Sequence, residues 1–338
     1  ISLNGNNGSE SGGGDYIIGA SVNILATPNP CYKFDSWTLT GPGSITDPTG
    51  PSTQFTVGAG DSTITANYSL KTFSVTANGD NGVESISDFS GVCGDTISIS
   101  ATPDDCYQFD SWTLTGPGSI ADTSSASTTF TIGAGNATLT ANYSLITFTV
   151  SSNGANGTEV LSDSSGVCGD TISISATPDD CYQFDSWTLT GPGSIADTSS
   201  ASTTFTIGAG NATLTANYSL ITFTVSSNGA NGTEVLSDSS GVCGDTISIS
   251  ATPDDCYQFD SWTLTGPGSI ADTSSASTTF TIGAGNATLT ANYSLITFTV
   301  SSNGANGTEV LSDSSGVCGD TISISATPDD CYQFDSWT

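Results

Sequence analysis

Apolar and polar residues alternate in short runs along residues 146–220, and all but the last run lead into turns or loops containing glycine, proline or asparagine. Ile146–Ser151 alternates as a half-buried strand does, because successive side chains of a strand point to opposite faces. Turn residues follow at Asn153, Gly154, Asn156 and Gly157, then a weaker strand over Thr158–Ser162 and a loop over Ser165–Asp170. Thr171–Ala176 predicts a strand with Ile172, Ile174 and Ala176 on one face, and Thr177–Asp180 turns the chain. In the next strand, Cys181–Thr190, Tyr182 and Phe184 share a face that Trp187 and Leu189 continue only after a one-residue slip. That slip predicts a β-bulge at Asp185 and Ser186. A long loop over Gly191–Ser202 precedes strands over Thr203–Ile207 and Asn211–Leu220, the last with Ala212, Leu214, Ala216 and Tyr218 inward. No segment carries a helical period, so the chain is expected to be all-β.

The pattern recurs every 75 residues, with cysteine pairs at 93/106, 168/181, 243/256 and 318/331. A divergent first copy has Ile18 where the first cysteine falls but keeps Cys31, and from Gly91 onward the copies are identical. The expected units are 1–70, 71–145, 146–220 and 221–295, with a partial fifth at 296–338. The chain opens inside a strand and stops after Trp337, and it reads as a window on a longer array. A unit of this size is near the lower limit for a self-sufficient core, where cross-links help. Adjacent units meet without a linker: Leu214–Val225 contains neither glycine nor proline. The inward parity changes from even to odd at Leu220 and Ile221, so one continuous segment leaves one core and enters the next. A tandem array of small all-β domains forming an elongated rod is expected.

Charge narrows the function. The chain has 33 Asp and Glu against two lysines, Lys33 and Lys71, with no arginine or histidine, a net charge of −31. Nothing is available to neutralise phosphates, which argues against nucleic acid and anionic membrane surfaces. No stretch of 18 apolar residues is present to insert as a helix. The polar surface of Ser, Thr, Gly and Asn points to an extracellular or cell-surface protein. Without histidine or arginine, and with its acids repeated identically, the chain offers no catalytic constellation, and no enzyme activity or cofactor is expected.

Ala176-Thr177-Pro178, then Tyr182, Phe184 and Trp187, and the closing Ala216-Asn217-Tyr218 together resemble the divergent internalin-type B-repeat family of bacterial surface proteins. The resemblance covers every unit. It implies a small β-sandwich or β-grasp-like domain used in tandem as stalks, spacers and adhesive parts, and it supplies no catalytic residues. Two positions depart from the family: Cys181 stands where glycine is usual, and the loop residue Cys168 is also unusual.

Nine regularly spaced cysteines in an extracellular chain read as disulfides. Metal ligation needs converging ligands, and the chain has no histidine and no closely spaced cysteine pair. Pairing Cys168 with Cys181 is opposed by the strand between them. Eight residues at about 3.3 Å put its ends roughly 25 Å apart, whereas a disulfide needs Cα atoms within about 7 Å. Following the strand directions puts the Cys168 loop at the near end of its unit and Cys181 at the far end, beside the Cys243 loop of the next. The first unit agrees, since it lacks the near-end cysteine yet keeps Cys31. The expected bonds are Cys31–Cys93, Cys106–Cys168, Cys181–Cys243 and Cys256–Cys318, with Cys331 left for a partner beyond the chain.

Other candidate sites compete with plainer readings. Asn-x-Ser/Thr sequons at Asn7, Asn67, Asn136, Asn142, Asn156, Asn211, Asn217, Asn231, Asn286, Asn292 and Asn306 are candidate glycosylation sites, or ordinary polar surface. Asp170, Asp179, Asp180 and Asp197 are candidate Ca²⁺ ligands between units, or solvated turn acids, since no loop has EF-hand spacing. Tyr182, Phe184 and Trp187 form either a carbohydrate-stacking platform or the core. Lys–Asn isopeptide bonds are excluded from the repeats after Lys71, which contain no lysine. The first functional expectation is the disulfide-stapled shaft of a secreted surface fibre, stalk or filament. The second is a multivalent adhesin for carbohydrate or host protein. A third is self-association, with another chain donating strands to the half-unit 296–338.

Overall fold

The computed structural model describes residues 1–338, and every regular element in it is a strand. The unit at 146–220 stands for those at 71–145 and 221–295; the first unit has three strands in place of four in one of its sheets. The strands of 146–220 are β1 (Phe148–Gly154), β2 (Gly157–Leu161), β3 (Ser165–Gly166), β4 (Thr171–Pro178), β5 (Tyr182–Thr190), β6 (Gly193–Ile195), β7 (Ser202–Ile207) and β8 (Ala212–Leu220). They form two four-stranded sheets, β3-β1-β8-β5 and β2-β4-β7-β6. The unit is therefore a β-sandwich; of the two folds implied by the resemblance, the grasp-like one is set aside. Two of the eight strands were expected as loops. β3 and β6 are two and three residues long, too short to show a period.

Side-chain alternation decides what lies between the sheets. Ile172, Ile174 and Ala176 of β4, Phe205 and Ile207 of β7, Trp187 of β5, and Ala212, Leu214 and Ala216 of β8 share one buried cluster with Val150 of β1. Phe205 and Leu214 are completely inaccessible to solvent. The bulge falls where the slip in the pattern puts it, with the pairing of β5 and β8 shifting between Phe184 and Ser186. It lets Phe184 and Trp187, three residues apart, face the same core. Their rings lie 5.8 Å apart, and Phe184 meets Tyr218 edge-on at 6.1 Å.

The strand that enters the unit lies parallel to the strand that leaves it: β1 pairs with β8 over five residues, Val150 with Ala212 through Gly154 with Ala216. The chain thus enters at one end and leaves at the other. Only Ile221 separates β8 from β9 (Thr222–Gly229), the first strand of the next unit. Phe223 and Val225 then pack into the following core rather than the preceding one. Leu220 is the exception to its strand's parity, being half exposed at the crossing. Residues 296–338 form two two-stranded sheets, 297–299 with 315–317 and 307–311 with 324–328.

Tyr218 closes the far end of the sandwich, and its hydroxyl donates to Glu159 Oε1 at 2.7 Å. Burial, and then that hydrogen bond, push the phenol well above its ordinary value of 10.0, and Tyr68, Tyr143 and Tyr293 behave alike. A value raised in the folded state gives stability that is complete below pH 10 and is lost as pH rises through the folded-state value. These four tyrosines should therefore ionise only as the repeats unfold, which a phenolate absorbance titration followed alongside circular dichroism would show. Their ionisation in the still-folded protein near pH 10 would contradict this.

Candidate functional site at the junction between repeats

Each junction is built from two four-residue turns that face each other. At the far end of the unit, Tyr182 N donates to Asp179 O at 3.1 Å, and Cys181 is the third residue of that turn, with φ 75°. A left-handed residue with a side chain costs roughly 1–2 kcal/mol, which accounts for glycine at the corresponding family position. Cys106 and Cys256 share the conformation, whereas Cys31, which follows Pro30, does not. At the near end of the next unit, Asp245 N donates to Val242 O at 3.1 Å across Cys243 and Gly244. Gly244 has φ 87°, the left-handed third position that a turn of this kind reserves for glycine. The Asp245 carboxylate accepts from Val242 N at 2.9 Å, closing the turn from its side-chain face. Gly244 N to Ile282 O and Ile282 N to Asp245 O, both 2.9 Å, tie the turn to the sheet behind it.

The facing turns are joined by a disulfide between Cys181 and Cys243, Cα atoms 5.9 Å apart. The same bond forms between Cys31 and Cys93, Cys106 and Cys168, and Cys256 and Cys318, each spanning 62 residues. Cys331 is exposed and unpaired. Beside each bond the main chain crosses between units, and the crossing residue donates to the far-end cysteine: Ile221 N to Cys181 O at 2.8 Å. Lys71, Ile146 and Ile296 do the same to Cys31, Cys106 and Cys256. Every junction therefore has a peptide link, a hydrogen bond and a disulfide. The two covalent links of a junction are offset from each other, one through the main chain and one through sulfur. Closing a loop of this length is worth about 4 kcal/mol in the chain-entropy model.

The remaining candidates do not assemble into a site. Asp170 Oδ2 accepts from Val167 N at 2.9 Å, closing its own turn. Asp197 accepts from Ser199 Oγ at 2.7 Å and Ser199 N at 2.9 Å, and the hydroxyl bond first, then the amide, hold its carboxyl below the ordinary range. Asp179 and Asp180 sit in the far-end turn, and no group of three or more acids or cysteines converges to hold a metal. Trp187 is buried, and Tyr182 and Phe184 are half-buried, so these rings belong to the core rather than to an open platform.

The sequon asparagines separate into three groups. Nδ2 of Asn67, Asn142, Asn217 and Asn292 donates to the carbonyl of the bulge serine at 3.0–3.2 Å, so the atom that would carry a glycan braces the bulge. Asn136, Asn211 and Asn286 use Oδ1 to accept from Ser74, Thr149 and Thr224 N, at 2.9–3.0 Å. Asn7, Asn156, Asn231 and Asn306 occupy exposed turns at positive φ, with their side chains outward. The alternation of the strands separated inward from outward positions but gave no sign of the bulge contacts. Those follow from the extra residue Asp185, which brings Ser186 opposite Asn217.

Among known proteins, a family model described as the divergent InlB B-repeat domain matches residues 2–72, 73–147, 148–222, 223–297 and 298–338. No curated protein matches the chain. The crystal structure of the pilus adhesin SpaC from Lactobacillus rhamnosus GG is similar at 10% identity and a TM-score of 0.19, over 82% of this chain and 57% of that one. That likeness is too slight to carry an argument. The family match spans the whole length: this chain belongs to the divergent InlB B-repeat domain family and consists of five tandem copies, the fifth partial.

Proposed function

We propose that this array is the shaft of an extracellular fibre or stalk on a bacterial surface, with its repeats locked end to end by disulfides. The observation that carries the reading is the doubled junction, in which a strand passes from core to core one residue after leaving the last and a disulfide bridges the same gap. Such bonds persist in oxidising surroundings outside the cytosol. The outward faces add support. On the β2-β4-β7-β6 sheet, Thr171 pairs with Thr206, Ser173 with Thr204 and Ser175 with Ser202, an uncharged lattice of hydroxyls beside the exposed Val160 of β2, without exposed aromatics. A surface of that kind suits a spacer better than a ligand platform.

Electron microscopy of the oxidised and reduced array tests the proposal. Oxidised molecules should be straight particles of uniform length, and reduction should broaden the bend angles at the junctions. Oxidised particles as bent as reduced ones would overturn the shaft reading. Repeat-dependent binding to a glycan or host protein would favour the adhesin instead.

A further inference from the structure

The four disulfides close rings that follow one another without overlapping: 31–93, 106–168, 181–243 and 256–318. Between successive rings lie segments of thirteen steps, Cys93 to Cys106, Cys168 to Cys181 and Cys243 to Cys256. Each is strand β4 or its equivalent with the turns on either side. We infer that these strands and the disulfides form one continuous covalent cord. The cord carries tension past 62 of every 75 residues and keeps the array whole when the rest of its backbone is cut.

The placement of β4 fits that role. It is an inner strand of its sheet, hydrogen-bonded to β2 on one side and β7 on the other. Ile172 and Ile174 on it are 3% and 1% exposed. The strand part of the segment whose cleavage would sever the array is thus flanked by partners on both edges, whereas the short turns on either side of it are exposed. By contrast, the edge strands β5 and β6 and the long loop from Thr190 to Ser202 all lie inside a ring, where a cut leaves the two sides joined through sulfur. The cord is also short. Thirteen residues reach at most about 45 Å, against about 260 Å for a whole 75-residue repeat, so an unfolded but oxidised repeat has little slack to release.

The inference rests on the shaft reading only for the use made of the cord, and its tests read covalent paths alone. First, both lysines, Lys33 and Lys71, fall inside the ring closed by Cys31 and Cys93. Trypsin acting on the protein in urea, with Cys331 alkylated and no reductant, should cut at both. Residues 1–33 should then stay attached to residues 72–338 until a reductant is added. Release of 1–33 without reductant would overturn the inference.

Second, the oxidised chain pulled from its two ends should reach a contour length of about 300 Å, set by the two tails and three links, and the reduced chain about 1,200 Å. An oxidised chain that extends like the reduced one would overturn it. Electron microscopy that showed no straight rods would remove the shaft and leave both of these results standing.

Discussion

Phe205→Ala is expected to destabilise its repeat by about 3–5 kcal/mol, the range for removing a fully buried aromatic ring. Phe205 is completely buried between the sheets and lies against Gly193, where an added Cβ would overlap the ring. Backbone rather than a movable side chain forms that wall, so the cavity cannot collapse readily. A unit of this size has roughly 4–11 kcal/mol of stability in all, and the substitution removes much of it. Because the other repeats keep their own cores, denaturant unfolding followed by fluorescence should gain an early transition for one repeat. An unchanged single transition would show that the cores are not independent. Trp187→Phe should cost less than Trp37→Phe, since Trp37 Nε1 donates to Gly50 O at 3.1 Å and Trp187 Nε1 meets no protein acceptor.

The second large effect concerns the junction. Removing one bond with the pair Cys181→Ser and Cys243→Ser should lower stability by about 4 kcal/mol, and the loss should appear in both repeats that the bond joins. Cys181→Gly in place of Cys181→Ser should recover about 1 kcal/mol, because glycine accepts the left-handed conformation at φ 75° that cysteine holds there. Calorimetry of the three proteins, fully oxidised elsewhere, checks both statements. Equal stability of the glycine and serine variants would remove the backbone argument. An unchanged midpoint on loss of the bond would remove the coupling.

The features legible in the sequence were those that rest on alternation. Ile172, Ile174 and Ala176, or Ala212, Leu214 and Ala216, announce a buried face by spacing alone, and the three-residue step from Phe184 to Trp187 announces a bulge. The change of parity at the junction followed from the same rule. The strand β4 between Cys168 and Cys181 was long enough to exclude pairing within a unit, and so the facing turns could be placed.

What did not show was whatever depends on a partner far away in the chain. β3 and β6 exist because β1 and β7 offer them edges, and nothing in two or three residues signals that. The parallel pairing of β1 with β8, which sends the chain out at the end opposite its entry, joins residues 62 apart. The role of Asn217 at the bulge, and of Glu159 against Tyr218, likewise required the sandwich to be assembled. The chain of rings was implicit in the cysteine spacing, but its consequence depends on β4 being an inner strand, which only the sheet order gives.

The most direct test is the linkage of Cys31. All later repeats are identical from Gly91 onward, so their cross-linked peptides cannot reveal which copy pairs with which, but Cys31 and Cys93 lie in sequences found once. Digestion without reductant, followed by mass spectrometry, should find the peptide holding Pro30-Cys31-Tyr32 attached to the peptide holding Asp88-Phe89-Ser90-Gly91-Val92-Cys93. Cys31 recovered as a free thiol, with Cys93 joined to Cys106, would contradict the coupling of repeats at their junctions.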